Sequence, residues 1–193
     1  MNPRIAELIR ESIAVKQAYL SDENNLLLLE QVAEQTIEVF RRDGKVLFCG
    51  NGGSAADAQH IAAELSGRFY LDRPPLYAEA LHVNTSFLTA MANDYGYEEA
   101  FARMVEAAGR KGDMLYALST SGNSPSILRA AEAARARGMI VVGMTGQGGG
   151  KLRGLCDYCL EAPSRDTPRI QELHITIGHL ICELVEKAIF GHG

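Results

Sequence analysis

From Lys45 to about residue 161 the chain repeats one unit: a short aliphatic run, a loop of small polar residues, then an amphipathic stretch. The aliphatic runs fall at 45–49, near 77–82, and at 113–118, 139–144 and about 157–161, and helical spacing covers 54–67, 85–92, 98–108 and 125–137. Runs without polar alternation suit strands buried on both faces. Strand–helix alternation therefore predicts a parallel sheet with helices packed on each side, an α/β fold. Local signals sharpen the boundaries. Ser54 and Asp57 fit a capping box; Ser124 with Pro125 reads as a helix start, and Gly138 as a helix end.

Two helical segments, 4–20 and about 26–42, precede the first strand. The stripe Ile5-Leu8-Ile9-Ile13 on the first suits either the sheet or another subunit. The segment of about 168–190 is apolar around nearly its whole circumference, from Ile170 and Leu173 to Leu184 and Ile189. Such a helix must be buried, and one small domain rarely covers it, which predicts a homo-oligomer with this helix near the interface. No repeat, low-complexity tract or Pro-rich linker divides the chain, so 1–193 reads as one unit.

Nineteen basic residues against twenty-four acidic ones give a net charge of −5, which argues against a nucleic-acid or anionic-membrane surface. No apolar run approaches the ~18 residues that span a bilayer. Met1 to Arg10 lacks the apolar core of a signal peptide, so a soluble cytoplasmic protein is expected. Four cysteines agree with that compartment. Cys156-Asp157-Tyr158-Cys159 has the C-x-x-C spacing of redox and metal motifs. A structural zinc site needs four ligands and no second pair exists. A redox pair opens a helix, whereas this one lies in a strand-like stretch.

In parallel sheets the ligand lies beyond the carboxyl ends of the strands. Two small-residue loops fall there: Gly50-Asn51-Gly52-Gly53-Ser54 and Ser119-Thr120-Ser121-Gly122-Asn123-Ser124. Each leads into a helix, whose free N–H groups attract an anion, and the hydroxyls of the second suit phosphate or sugar oxygens. Neither loop carries the Gly/Lys pattern of nucleotide sites, so a small phosphorylated metabolite is the expected ligand. His60 and Glu64 share a face of the helix after the first loop, as a surface pair, an acid–base pair or metal ligands. Gln171, Glu172, His174 and His179 interrupt the apolar C-terminal helix. Gln171 and His179 stand about 80° and about 12 Å apart on it, so one centre draws on both more easily from two subunits. Asn93-Asp94-Tyr95-Gly96 reads as a turn, or as a contact for substrate hydroxyls.

The motifs C-G-N-G-G-S, A-N-D-Y-G, S-T-S-G-N-S and R-I-Q-E-L-H…G-H, in this order, resemble the sugar isomerase (SIS) domain family from about Arg10 to Lys187. The resemblance is to its branch acting on seven-carbon sugar phosphates. It implies a three-layer doubly wound sandwich with a five-stranded parallel sheet and extra N-terminal helices, assembled as a homotetramer with active sites between subunits. The implied reaction converts sedoheptulose 7-phosphate to D-glycero-D-manno-heptose 7-phosphate through a cis-enediol, for bacterial lipopolysaccharide or capsule. By the same resemblance Ser119, Thr120, Ser121 and Ser124 match the phosphate loop. Asn51, Gly52, Gly53, Asn93, Asp94 and Gln171 match substrate contacts, with Glu64 as base and substrate contact and His179 as its acid–base partner. His60, Glu64, Gln171 and His179 match the ligands of one zinc ion per subunit. Pro168 stands where some members carry an aspartate. The family also contains enzymes for other sugar phosphates and a non-catalytic protein that binds the replication initiator. The latter lacks the groups that Glu64 and His179 supply here.

Overall fold

A computed structural model describes residues 2–191; Met1, His192 and Gly193 of the 1–193 unit lie outside the described residues. At its centre are five parallel strands: β1 (Val46–Cys49), β2 (Ala78–Ala80), β3 (Met114–Ser119), β4 (Ile140–Thr145) and β5 (Tyr158–Glu161). Their order is β2-β1-β3-β4-β5. The chain steps outward from β1 to β2 and returns to the other side of β1, so the order reverses between β1 and β3. Loops leaving the carboxyl ends of those two strands diverge and leave a crevice. Both small-residue loops emerge there.

Seven helices complete the molecule as described: α1 (Pro3–Leu20), α2 (Glu23–Arg41), α3 (Gly53–Ser66), α4 (Thr85–Asp94), α5 (Ala100–Ala108), α6 (Pro125–Ala136) and α7 (Thr167–Phe190). Side chains alternate across a strand. Val46, Phe48, Met114, Tyr116 and Leu118 accordingly pack under α2, α3 and α7, while Leu47, Cys49, Leu115 and Ala117 pack under α5 and α6. Every residue of β1 and β3 is buried, as a sheet covered on both faces requires. The three-layer, five-stranded expectation stands.

Several local expectations need correction. The capping box at Ser54 and Asp57 does not form. Gly52 is the N-cap, at φ +54, and no side chain caps α3; Ser54 is buried inside the first turn. A glycine in this left-handed region turns the chain directly from β1 into the helix, two residues earlier than a serine cap at Ser54 would. The turn at 93–96 is also displaced. Asn93 and Asp94 are the last residues of α4, and the reversal falls on Gly96 at φ +91. Ser124 is the N-cap of α6 by backbone position, yet its hydroxyl meets Ser119 Oγ at 3.1 Å instead of capping.

The C-terminal helix is covered mostly by its own chain. α7 lies against α1, α2 and α3, and of its large apolar residues Leu180 and Leu184 remain exposed, at 42% and 43%. α2, α3 and α7, not α1, supply the apolar cover for that face of the sheet. On α1 only Tyr19 is buried, while Ile5, Ile9 and Ile13 are exposed. The C-x-x-C thiols are free and both face Gly143 of β4, where an added Cβ would meet Cys156 Sγ at 2.5 Å and Cys159 Sγ at 3.5 Å. They fill the space that a glycine strand residue leaves. Among the described residues no helix is long and apolar enough to cross a membrane.

Candidate active site

The first loop is shaped by what cannot fit. A Cβ at Gly50 would run into the backbone of Ser54 and Ala55, whereas one at Gly52 would meet nothing within 4 Å. Gly52 therefore faces open space at an uncapped helix N-terminus, a position suited to a ligand oxygen. Asn51 spans the crevice: its Nδ2 donates to Ser126 Oγ on α6 at 3.0 Å, and its Oδ1 accepts from Tyr97 Oη at 2.7 Å. Tyr97 thus ties the segment after Asn93 and Asp94 to the first loop. Asn93 Nδ2 donates to Asp94 Oδ1 at 2.8 Å, which holds those two side chains together.

The second loop is buttressed from the β4 side. Gly122 sits at φ +64, its N–H donates to Ser119 O at 3.0 Å, and its carbonyl accepts from Leu152 N at 2.9 Å. Gly146 N donates to Thr120 O at 3.0 Å, and Lys151 N donates to Asn123 Oδ1 at 3.1 Å. Asn123 in turn donates to Ser121 O at 2.8 Å, and its backbone N–H to Ser121 Oγ at 3.2 Å. A loop fixed at this many points offers preset hydroxyl and N–H positions to an anion.

α3 and α7 run side by side in the same direction. The Gln171 amide lies against Gly53, where a Cβ would come within 2.6 Å of Nε2, and two turns further on Gly178 lies against Ile61. That ladder brings His179 to the His60–Glu64 face. His60 Nε2 is 2.9 Å from His179 Nε2 and 3.4 Å from Glu64 Oε1. Donor atoms of all three lie within 4.8 Å of one another. The Phe69 ring stacks on His179 at 5.8 Å between centroids. One turn earlier on α3, Asp57 has a buried Oδ2 with no hydrogen-bond partner. Burial pushes its carboxyl up to about 6, against the opposing pull of His60.

Two imidazoles and a carboxylate form the N/O donor set that zinc takes. In a tetrahedron with bonds of about 2.0–2.1 Å the ligand atoms stand about 3.3 Å apart, close to the 2.9 and 3.4 Å separations here. The residues fit the metal. Gln171 stands apart from them, at the Gly53 end of α3, eight residues and about 12 Å along α7 from His179.

His174 plays another part. It is fully buried, its Nε2 donates to Thr145 O at 3.0 Å, and burial pushes it down to about 4, outweighing that hydrogen bond. It pins the end of β4 to α7. Glu172 pairs with Arg169 at 2.7 Å. Residues that sequence reasoning did not single out also shape the site: Tyr97, Phe69 and Gly178. Of these Gly178 carried a signal, since a glycine inside an apolar helix marks a close approach.

The SIS domain family model matches residues 10–146, and the chain belongs to that family. Within it the chain groups with the phosphoheptose isomerases. It is 57% identical over 190 residues to that of Aneurinibacillus thermoaerophilus, covering 98% of this chain and 96% of the relative. It is 54% identical over 187 residues to that of Burkholderia pseudomallei, covering 97% and 95%. Among solved structures it superposes on phosphoheptose isomerase GmhA from Neisseria gonorrhoeae with a TM-score of 0.89 at 43% identity. It superposes on a phosphoheptose isomerase from Francisella tularensis with a TM-score of 0.91 at 35% identity. Each match covers 95% of this chain and 97% of the other.

Proposed function

We propose that this sugar-phosphate isomerase interconverts sedoheptulose 7-phosphate and D-glycero-D-manno-heptose 7-phosphate through a cis-enediol, for bacterial surface glycans. The observation that carries the reading is the convergence of His60, Glu64 and His179, since a carboxylate beside an imidazole is what proton exchange between adjacent carbons needs. In the ketose-to-aldose direction Glu64 removes a proton from C1 and returns it to C2. His179 delivers a proton to O2 and takes one from O1, so the sum is an isomerisation without loss of atoms. The Ser119–Ser124 loop holds the phosphate, with Thr120 and Ser121 hydroxyls and the α6 terminus facing it. Asn51, Gly52, Gly53, Asn93, Asp94 and Gln171 orient the carbon chain.

His60, Glu64 and His179 would hold a zinc ion, which when bound polarises the substrate carbonyl and offsets charge developing on its oxygen. Gln171 as a fourth ligand fits supply by a second copy of the chain, because its own α7 carries it about 12 Å from His179. A homotetramer with active sites between subunits agrees with that separation. It also agrees with the exposed apolar residues of α1 and with Leu180 and Leu184.

The test is turnover of sedoheptulose 7-phosphate by wild type, by Glu64→Gln, and by wild type after chelation and zinc return. Aldoheptose 7-phosphate from wild type, none from Glu64→Gln with substrate binding retained, and loss that zinc reverses are expected. Wild-type turnover in Glu64→Gln would remove the assigned base. No product from a folded oligomer would favour another sugar phosphate or an interaction role.

A further inference from the structure

Behind His179 lies a buried ion pair that no part of the reaction uses directly. Glu186 stands seven residues after His179 on α7, within about 20° of the same face and about 10 Å along the axis. Its Oε1 accepts from Phe69 N at 3.1 Å, and its Oε2 from Tyr70 N at 2.7 Å and Leu71 N at 3.0 Å. Arg73 Nε donates to Oε1 at 2.9 Å, and both side chains are 2% exposed. Burial alone would raise the Glu186 carboxyl; the three N–H donors and Arg73 together hold it below its ordinary range.

Arg73 then reaches the other helix of the site. Its two terminal nitrogens donate to Glu64 O at 2.9 Å, Leu65 O at 2.8 Å, Gly67 O at 3.2 Å and Pro74 O at 3.1 Å. The first two are end carbonyls of α3, which lack partners in the helix itself, and the guanidinium is a favourable charge at a helix carboxyl end. One planar fork thus binds the main chain of Glu64 while its partner carboxylate, on α7, binds the main chain of Phe69. That residue's ring rests on His179. Glu64 and His179 are connected through a continuous path of contacts with the buried pair at its middle: Glu64 carbonyl, Arg73, Glu186, Phe69 amide, Phe69 ring, His179.

We propose that Arg73 and Glu186 are positioning residues that set the α3–α7 register at the His60–Glu64–His179 centre. The proposal rests on the reading of that centre as catalytic and deepens it. α3 and α7 touch where Gln171 lies on Gly53 and where Gly178 lies on Ile61, with apolar residues of both helices in one buried cluster. Apolar packing is non-directional, so it leaves small rotations and slides of one helix against the other less constrained than hydrogen bonds would. The clamp, one to two turns further along, removes that freedom, because its hydrogen bonds are directional and every acceptor of Glu186 is engaged. Lysine could not replace Arg73, since an ammonium lacks the planar fork that meets a carboxylate and four carbonyls at once.

The experiment compares wild type with Glu186→Gln and Arg73→Lys by thermal melting, by imidazole NMR of the metal-free proteins, and by steady-state kinetics with sedoheptulose 7-phosphate. Displaced His179 imidazole resonances are expected, with kcat lowered about 10- to 100-fold per folded molecule and KM changed by less than about threefold. Lower melting temperatures with unchanged resonances and unchanged kcat would overturn the proposal and leave the pair a stabilising one. If wild type turns over no sugar phosphate, the isomerase reading fails, while the imidazole comparison still decides whether the clamp positions the ring. Arg73→Lys keeps the charge opposite Glu186, so it answers the question should Glu186→Gln not fold.

Discussion

Gly178→Ala puts a methyl group where α7 touches α3, next to both site histidines. The new Cβ would lie 2.6 Å from Ile61 Cγ1 and nearer still to its Cδ1, against an ordinary carbon contact of about 3.5–4.0 Å. Ile61 is 2% exposed, so its side chain has no solvent to swing into, and the helices must part by about 1 Å. Two stability terms oppose each other. Overpacking costs about 1–3 kcal/mol, while alanine gains about 1 kcal/mol over glycine inside a helix. The net loss is about 0–2 kcal/mol, a melting shift of at most about 8 °C for a chain of this size. Catalysis has no such compensation. A displacement of about 1 Å between His60 and His179 is expected to lower kcat about 100-fold. Thermal melting and turnover of sedoheptulose 7-phosphate measure the two effects separately. Ile61→Ala removes the obstructing atoms and leaves Ile61 Cβ at 3.8 Å from the new methyl, so the double variant is expected to recover most of kcat despite its lower stability. A folded Gly178→Ala protein with activity within about threefold of wild type would refute the reasoning, because helix approach would then not set the histidine geometry.

Gly122→Ala is expected to destabilise the chain and raise KM, since φ +64 costs a non-glycine residue about 1–2 kcal/mol and its Cβ would strike the Gly149 carbonyl; an unchanged melting temperature would contradict this. Ser121→Ala should raise KM more than it lowers kcat, because the proposed phosphate contact would act in ground and transition states alike, and an unaltered KM would count against the loop. Lowering the pH should weaken folding through His174. Its proton affinity is depressed from 6.5 to about 4 in the folded chain, so the unfolded state takes up the proton first. Its contribution is complete above about pH 6.5 and is lost as pH falls toward 4, by about 3 kcal/mol in total. Denaturant unfolding across that range checks it, and a His174→Gln variant with the same pH slope would show that other groups are responsible.

Much of the fold was legible because its signals are local. Aliphatic runs such as Met114–Leu118 and Ile140–Met144 have no polar face, so they declare strands covered on both sides, and Pro125 after Ser124 marks a helix start whatever lies around it. The corrections fall where several local solutions compete. Ser54 satisfies a capping pattern, but Gly52 takes a left-handed φ two residues earlier, and this places Ser54 inside the first turn of α3, buried and away from the cap position. Asn93 and Asp94 favour turns in isolation, yet α4 runs through them because Gly96 provides the reversal. At the site, the pairing of His60 with Glu64 follows from a spacing of four. The arrival of His179 does not, since it depends on helices more than a hundred residues apart.

The sequence by itself determined the class of architecture, the positions of the two small-residue loops and the spacing of His60 and Glu64, because periodicity, turn chemistry and spacing act within a few residues. Tertiary structure alone decided which of those residues meet. Parallel packing of α3 on α7 is permitted by the missing side chain at Gly178 and brings His179 to His60 and Glu64, while Gln171 is left beside Gly53. The same packing buries Glu186 against Arg73 and three main-chain N–H groups. Neither result has a local signature, since each is set by long-range burial, where a charge must find every partner or not be buried at all.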